Sequence, residues 1–268
     1  YLEPVQKNGN AVSFVFDISY SMMANDAPDK KTRLEAAANY AQMLLSHMKG
    51  IPVTVVLAKG DGVLVVPLTE DKAVVETLLE SLNPKLISSV GTSLGKGIIA
   101  AHKGFPTNSS LANRIWVFTD GDETDGLLEK SILDCVRSGV SVSLIGFGSE
   151  QEIQVIAGDG KTAGYTSLKS EKMKKIVANV EKNSSAEIKN GVTVNYIDAT
   201  EAGSALKLLK TVSPKFNSKY ESNSITYELK PVKRYSLFLG LAIFFFILGF
   251  FVTEFDIDNI MSKFKKTS

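Results

Sequence analysis

The chain has 268 residues, and its 30 Lys and Arg residues nearly balance its 29 Asp and Glu residues, giving a formal net charge of +1. This length suits one large globular domain with an appendage, and the near-neutral charge without a block of one sign argues against a nucleic-acid ligand. With two histidines and one cysteine, a zinc site or a His-based nucleophilic triad has too few side chains, so any bound metal would have oxygen ligands.

Strands and helices alternate along the sequence. Short apolar runs rich in β-branched residues predict strands, and helical spacing of apolar residues predicts helices between them. The predicted strands cover residues 11–16, 53–58, 63–68, 115–118, 140–147 and 192–197. The predicted helices begin at the capping-box pair Thr32 and Glu35 and continue with residues 73–82, 94–102, 127–137, 173–180 and 205–212. Turn signals predict hairpins at residues 59–62 and 158–160.

This alternation predicts an α/β fold: a doubly wound, mostly parallel sheet with helices on both faces, similar to the Rossmann arrangement. In such a fold, functional side chains gather at the carboxyl ends of the strands. We assign the segments as an N-terminal lead-in at 1–10, the domain at 11–212, a juxtamembrane linker at 213–234, a transmembrane helix at 235–255 and a short basic tail at 256–268.

The C-terminal part of the chain predicts a membrane anchor. Residues 235–251 carry no charge, and with extension to Phe255 they reach the ~20 apolar residues that cross a bilayer core. The alternative is a buried core helix, but such a helix usually keeps a polar stripe that this segment lacks. Basic residues on both sides leave the orientation open by charge alone. Because long domains translocate largely regardless of charge and the short basic tail suits the cytoplasmic face, we expect one membrane crossing in this chain, with an extracytoplasmic domain.

Hydroxyl and carboxyl side chains lie at three of the predicted element boundaries. Asp17, Ser19 and Ser21 come after the first strand, Thr92 precedes a helix, and Asp120 follows a later strand. Each segment alone would be read as a helix cap or a turn. Together, at one edge of a sheet, they supply two carboxylates and three hydroxyls. This is the all-oxygen ligand set that Mg²⁺ prefers, with Mn²⁺ or Ca²⁺ as alternatives.

The five residues match the metal site of the von Willebrand factor A family, which the chain resembles over residues 11–212. In that family the pattern DxSxS, a distant Thr and a distant Asp form the metal-ion-dependent adhesion site (MIDAS). Tyr20 stands where a Gly often separates the two serines. The chain is also similar to bacterial membrane-anchored aerotolerance proteins of the BatA and BatB type. That similarity rests on Met22 and on residues 33–37, 91–95, 119–121 and 145–146. The upstream membrane helices usual in those proteins are missing from a chain that starts at Tyr1.

The resemblance implies a protein-binding domain rather than an enzyme. Five ligands would leave an octahedral ion one position for an Asp or Glu of a partner protein. The resemblance also implies partners among other membrane-anchored proteins of the family, and an indirect link to a MoxR-type AAA+ ATPase. Without the ion, the carboxylates of Asp17 and Asp120 would repel each other, which would raise a pKa. Because loop-tip ligands carry little of the core, we expect alanine at either position to leave stability near wild type.

Two other functions remain open on the residues alone. Residues 120–124 spell DxDxT, the nucleophile motif of haloacid-dehalogenase-type phosphatases, in which Asp120 would be the nucleophile and Asp122 the acid and base. The rest of that catalytic set is not evident, and we interpret Asp122 and Glu123 as solvated loop acids beside the metal. The second alternative is a metal-free structural scaffold, in which the oxygen side chains form capping networks.

Overall fold

The structure is a computed structural model that describes residues 2–106, 111–156, 162–212, 225–231 and 235–254. The chain divides into two compact units. One unit is Lys7–Thr226, and the other consists of Tyr1–Gln6 and Tyr227–Ser268. All five predicted ligands belong to the larger unit.

The described strands and helices follow the alternation predicted from the sequence. The strands are β1 (Leu2–Asn8), β2 (Asn10–Asp17), β3 (Val53–Ala58), β4 (Gly62–Thr69), β5 (Ala112–Thr119), β6 (Ser141–Gly146), β7 (Ile153–Ile156), β8 (Thr162–Thr166), β9 (Val194–Asp198) and β10 (Ile225–Pro231). The helices are α1 (Arg33–His47), α2 (Lys72–Glu80), α3 (Leu94–Lys103), α4 (Leu128–Arg137), α5 (Ser170–Asn183), α6 (Ser185–Lys189), α7 (Ser204–Val212) and α8 (Tyr235–Glu254). Short 3₁₀ helices cover Tyr20–Met23, Pro28–Lys30 and Pro84–Leu86.

The central sheet has the strand order β4-β3-β2-β5-β6-β9. Neighbouring strands are parallel except β3 and β4, which form an antiparallel hairpin at one edge. The prediction of a mostly parallel sheet is therefore confirmed. Strand β2 lies between β3 and β5 and is buried along its whole length, so the residues that follow β2 and β5 emerge side by side.

Apolar clusters on both faces of the sheet hold the helices in place. On one face, α1, α2 and α7 pack over strand residues that include Phe16 and Phe118, whose ring centroids are 4.6 Å apart. On the other face, α3, α4 and α5 cover a cluster that contains Val15 and Val117. Neighbouring residues of a strand point to opposite faces, so a strand covered on both faces must be apolar throughout. This is why the strands read as continuous apolar runs.

Local signals in the sequence agree with the structure at several boundaries. The Thr32 hydroxyl accepts from the Glu35 N–H at 3.1 Å, and the Glu35 carboxylate accepts from the Thr32 N–H at 2.8 Å, which completes the capping box. Strands β7 and β8 form the second predicted hairpin, whose turn at 158–160 lies outside the described residues. The pattern does not predict α6, because its five residues are too few to show a helical period.

Strands are also present in the two segments assigned to the lead-in and the linker. β1 lies within residues 1–10 and β10 within residues 213–234. The two strands form a two-stranded sheet of their own. The sequence alone does not predict this pairing, because partners at opposite ends of a chain leave no turn signal between them.

Helix α8 covers 20 residues of the predicted anchor. The large apolar side chains described along it, from Phe238 to Leu248, are exposed. Within the described part of the chain, no helix combines the length and the apolar character that a bilayer crossing requires. The transmembrane helix at 235–255 therefore stays a prediction.

Candidate metal-binding site

The strand order places two of the predicted ligand segments next to each other. Strand β2 ends at Asp17 and its neighbour β5 ends at Thr119, with Phe16 opposite Phe118 in the parallel register. Asp17 and Asp120 therefore stand at the carboxyl ends of adjacent strands. Both side chains are fully buried.

Hydrogen bonds connect three of the five predicted ligands, and Asp120 lies beside them. The Asp17 carboxylate accepts from the Ser19 N–H at 2.9 Å, and the hydroxyl oxygens of Ser19 and Ser21 lie 2.9 Å apart. The Ser21 side chain also lowers the pKa of Asp120, so these two side chains are neighbours. The structure thus brings these four side chains together, and their role as metal ligands stays a prediction.

Thr92 reaches the same edge through backbone contacts. The Ser93 N–H donates to the carbonyl of Lys59, the residue that follows β3. The Thr92 carbonyl accepts from the Thr124 N–H at 3.0 Å and from the Thr124 hydroxyl at 2.9 Å, which ties it to the loop after β5. Among the described contacts, those of Thr92 lead to Thr124 and not to the other four predicted ligands.

Burial and mutual repulsion change the ionisation of the two aspartates. Burial, with the nearby charge of Asp120, raises the pKa of Asp17 to about 7, against the opposing effect of hydrogen bonds from Ser19 and Thr119. Burial also raises the pKa of Asp120, although the Asp122 N–H and the Arg33 cation counteract it. The raised pKa that the sequence predicts for two neighbouring carboxylates is therefore found at Asp17.

Arg33 is the functional-site residue that the sequence interpretation missed. Its guanidinium is fully buried and donates from Nη1 to Asp120 Oδ2 at 2.7 Å. It also donates from Nε and Nη2 to the two oxygens of Asp26, at 2.8 and 2.7 Å. A longer bond of 3.2 Å joins Nη1 to the Thr166 hydroxyl on β8. One cation therefore links a predicted ligand, the loop before α1 and the hairpin after β6.

The surroundings of Arg33 are shaped around its side chain. Gly148 has a φ of +113°, and a Cβ at that position would overlap the guanidinium. The Ser149 N–H donates to Asp26 Oδ2 at 2.8 Å, which holds the second carboxylate in place. A sequence signal for this role existed, because a cation in the first turn of a helix is electrostatically unfavourable, and Arg33 opens α1.

The residues fit a hard divalent cation. Asp26 and Asp120 pair with Arg33, and Asp17 lies near Asp120, so ionisation of all three carboxyls leaves an excess of two negative charges. Across the described ranges no three His, Cys, Asp or Glu side chains form a metal-ligand group. An ion at this edge would therefore depend on hydroxyl ligands beside the carboxylates, which is chemistry that suits Mg²⁺.

The loop acids after Asp120 take two different positions. Asp122 is partly exposed, and its N–H donates to Asp120 Oδ1 at 3.0 Å. The interpretation of Glu123 as a solvated acid is wrong. Its carboxylate accepts from the N–H of Leu128 at 2.5 Å, and its side chain is only 2% exposed. Glu123 satisfies a free N–H at the start of α4, a requirement of every helix that the loop sequence did not reveal.

Comparison with known families agrees with this fold. Residues 12–123 match the family model described as the von Willebrand factor type A domain. The matched residues include most of β2, all of β3 to β5 and all five predicted ligands. Residues 12–123 are therefore similar to the von Willebrand factor type A domain.

Solved structures with the same fold include two from Bacteroides. The conserved hypothetical protein BatB from Bacteroides thetaiotaomicron is 24% identical with a TM-score of 0.62, and the match covers 78% of this chain and 99% of that chain. An aerotolerance-related membrane protein from Bacteroides fragilis is 23% identical with a TM-score of 0.62. That match also covers 78% of this chain and 99% of the other chain. At these identities the likeness establishes the fold.

A more distant relative was solved with a metal. Proximal thread matrix protein 1 from the mussel byssus, in a form with a zinc-occupied MIDAS motif, is 18% identical with a TM-score of 0.50. That match covers 79% of this chain and 47% of the mussel chain. A comparison with curated proteins gives no match.

Proposed function

We propose that this domain binds partner proteins through a divalent metal ion at the carboxyl edge of its sheet. The observation that carries the proposal is that Asp17, Ser19, Ser21 and Asp120 lie together at the ends of adjacent strands, where two buried carboxylates outnumber the buried Arg33 cation. The zinc-occupied MIDAS of the mussel relative supports a metal at this edge of the fold. Mg²⁺ suits the oxygen ligands best, and Mn²⁺ or Ca²⁺ would use the same set.

The ion would supply an electrophilic position that one carboxylate of a partner protein can occupy. The chain provides the rest of the shell. Asp17 and Asp120 offset the charge of the ion, and the hydroxyls of Ser19, Ser21 and Thr92 supply neutral oxygens. Because both aspartates are buried, an incoming Asp or Glu meets the metal rather than two repelling side chains. Partner binding should therefore require both the metal and the acid.

The surroundings of Asp120 argue against the phosphatase alternative. Its Oδ1 accepts from the Asp122 N–H at 3.0 Å, and its Oδ2 accepts from Arg33 at 2.7 Å. A nucleophile needs an accessible oxygen to attack phosphorus, and this carboxylate is fully buried with both oxygens engaged. We therefore propose a binding domain and not an enzyme.

Calorimetric titration with Mg²⁺ and Mn²⁺ tests the metal site. We expect saturable binding by the wild type, and binding weaker by roughly tenfold in Ser21→Ala and in Thr92→Ala, because each variant removes one oxygen ligand from a charged centre. Ser46→Ala is the matched control, since Ser46 is exposed on α1. Absence of binding by the wild type would favour the metal-free scaffold. Phosphatase activity that disappears in Asp122→Asn would favour the enzyme.

We also propose that residues 235–255 anchor the chain in a membrane, with the domain outside the cytoplasm. The support is the uncharged apolar sequence of that segment and the basic tail after it. An aerotolerance-related membrane protein shares the fold. In that location the partners would be other membrane-anchored proteins of the family, and a MoxR-type AAA+ ATPase would act on the assembly indirectly.

Protease protection in spheroplasts tests this orientation. With an epitope tag after Ser268, added protease should degrade the domain and leave a tagged fragment of the tail and anchor. This result is expected because the added protease reaches only the extracytoplasmic side of the membrane. Detergent lysis provides the control, because it should expose the tag as well. A tag that is removed while the domain survives would reverse the orientation.

A further inference from the structure

Exposed apolar side chains stand on the segments that carry the candidate ligands. Tyr20 lies between Ser19 and Ser21 and is 52% exposed, and Val90 lies two residues before Thr92 and is 93% exposed. Single exposed apolar residues are common on protein surfaces and need no explanation. Tyr20 and Val90 come from different loops that meet at one edge of the sheet. This shared position separates them from apolar residues scattered singly over a surface.

A buried lysine fixes the Tyr20 ring. The Lys59 ammonium lies 5.0 Å from the ring centroid, within the range of a cation–π interaction. That ammonium is itself held, because it donates to the Pro84 carbonyl at 2.7 Å and to the Ile87 carbonyl at 2.9 Å. The ring is therefore positioned before any partner arrives, which lowers the entropy lost on binding.

Val90 lies on the other side of the same turn. A Cβ at Gly60 would overlap the Val90 carbonyl, so the turn after β3 packs directly on the Val90 backbone. Lys59 and Gly60 thus contact Tyr20 on one side and the Val90 segment on the other. Tyr165, which is 68% exposed, adds a third apolar side chain. It lies on β8, which contacts the 3₁₀ helix that begins at Tyr20.

We propose that Tyr20, Val90 and Tyr165 form an apolar docking surface beside the metal site, and that it binds a partner segment with one carboxylate next to an apolar side chain. The proposal rests on the proposed function, because the metal would hold that carboxylate. Nearby charges further restrict which partner segments can bind. Asp122 and Asp125 lie partly or fully exposed on the loop after β5, and they would repel a segment rich in acids. A single acid in an apolar context fits this surface, and an acidic tail does not.

Selection from displayed peptides tests this surface. The probes are a library with a fixed central Asp and three random residues on each side, and a matched library with a fixed central Asn. In Mg²⁺, the wild type should retain Asp peptides that have an apolar residue within three positions of the Asp. Retention of these peptides should fall by roughly tenfold in Tyr20→Ser and in Val90→Ser, since each variant removes an apolar side chain that the partner segment would cover.

The controls separate this surface from the metal site. Val74→Ser should select like the wild type, because Val74 is 49% exposed but lies on α2, which carries none of the candidate ligands. Tyr20→Phe should also select like the wild type, since the ring is kept. If Asp peptides are preferred without any apolar neighbour, or if both serine variants keep the preference, the docking surface is wrong and the metal site stands. Equal retention of Asp and Asn peptides would refute the proposed function and this surface with it.

Discussion

Replacement of Arg33 by methionine is expected to lower the free energy of unfolding by about 3–5 kcal/mol, the usual cost of removing one partner from a buried ion pair. Methionine keeps much of the side-chain volume but leaves the Asp26 and Asp120 carboxylates without their shared cation. Urea denaturation in the presence of a chelator measures the change. Arg137→Met is the matched control, because Arg137 is exposed at the end of α4, and it should change stability by no more than about 0.5 kcal/mol.

Added metal distinguishes two roles for Arg33. If the guanidinium offsets charge at the metal site, Mg²⁺ should restore part of the stability lost in Arg33→Met, because the ion brings positive charge back to Asp120. An equal loss with and without Mg²⁺ would mean that Arg33 only supports the fold. A loss below about 1 kcal/mol would contradict the buried ion pair itself.

The same ion pair corrects an expectation about Asp120. From the sequence, Asp120 is a loop-tip residue, and alanine there should leave stability near wild type. In the structure Asp120 is fully buried and pairs with Arg33, so alanine would remove one of the two carboxylates that balance the buried guanidinium and destabilise the domain. Thr92→Ala tests the metal more cleanly, because the described contacts of Thr92 lead to Thr124 and not to a buried charge.

The fold was largely predictable because its strands are buried on both faces. β2 and β5 read as apolar runs for that reason, and the Thr32 and Glu35 pair fixed the start of α1. The pairing of β1 with β10 was not predictable in this way. It joins the two ends of the chain, and no local period or turn residue reports such a long-range contact.

The candidate site was predictable only in part, for a related reason. Asp17, Ser19 and Ser21 share one loop, and a parallel sheet brings Asp120 to the same edge. The role of Arg33 was not predicted because its partner Asp120 is distant in sequence, and Asp26 enters the site only through Arg33. The spacing of residues within one loop can indicate metal ligands. It cannot show which buried cation those ligands contact.

The metal-free protein should lose stability as the pH rises from about 4 to 7, because of Asp17. Burial raises the pKa of this carboxyl from 3.8 to about 7 in the folded state. Between these two values the folded chain keeps a proton that the unfolded chain has released, so folding is favoured at the acidic end of the window. A difference of roughly three pKa units corresponds to a loss on the order of 4 kcal/mol. Urea denaturation at several pH values in chelator measures it.

The variant Asp17→Asn isolates this effect from other titrating groups. Its amide cannot ionise but can still accept the Ser19 N–H, so the variant should gain stability relative to the wild type across the window. Above pH 7, Mg²⁺ should make the wild type the more stable of the two proteins. The ion binds the ionised Asp17 carboxylate more tightly than the amide. Parallel stability curves for the two proteins would contradict the raised pKa. Equal stabilisation of both by Mg²⁺ would remove Asp17 from the ligand set.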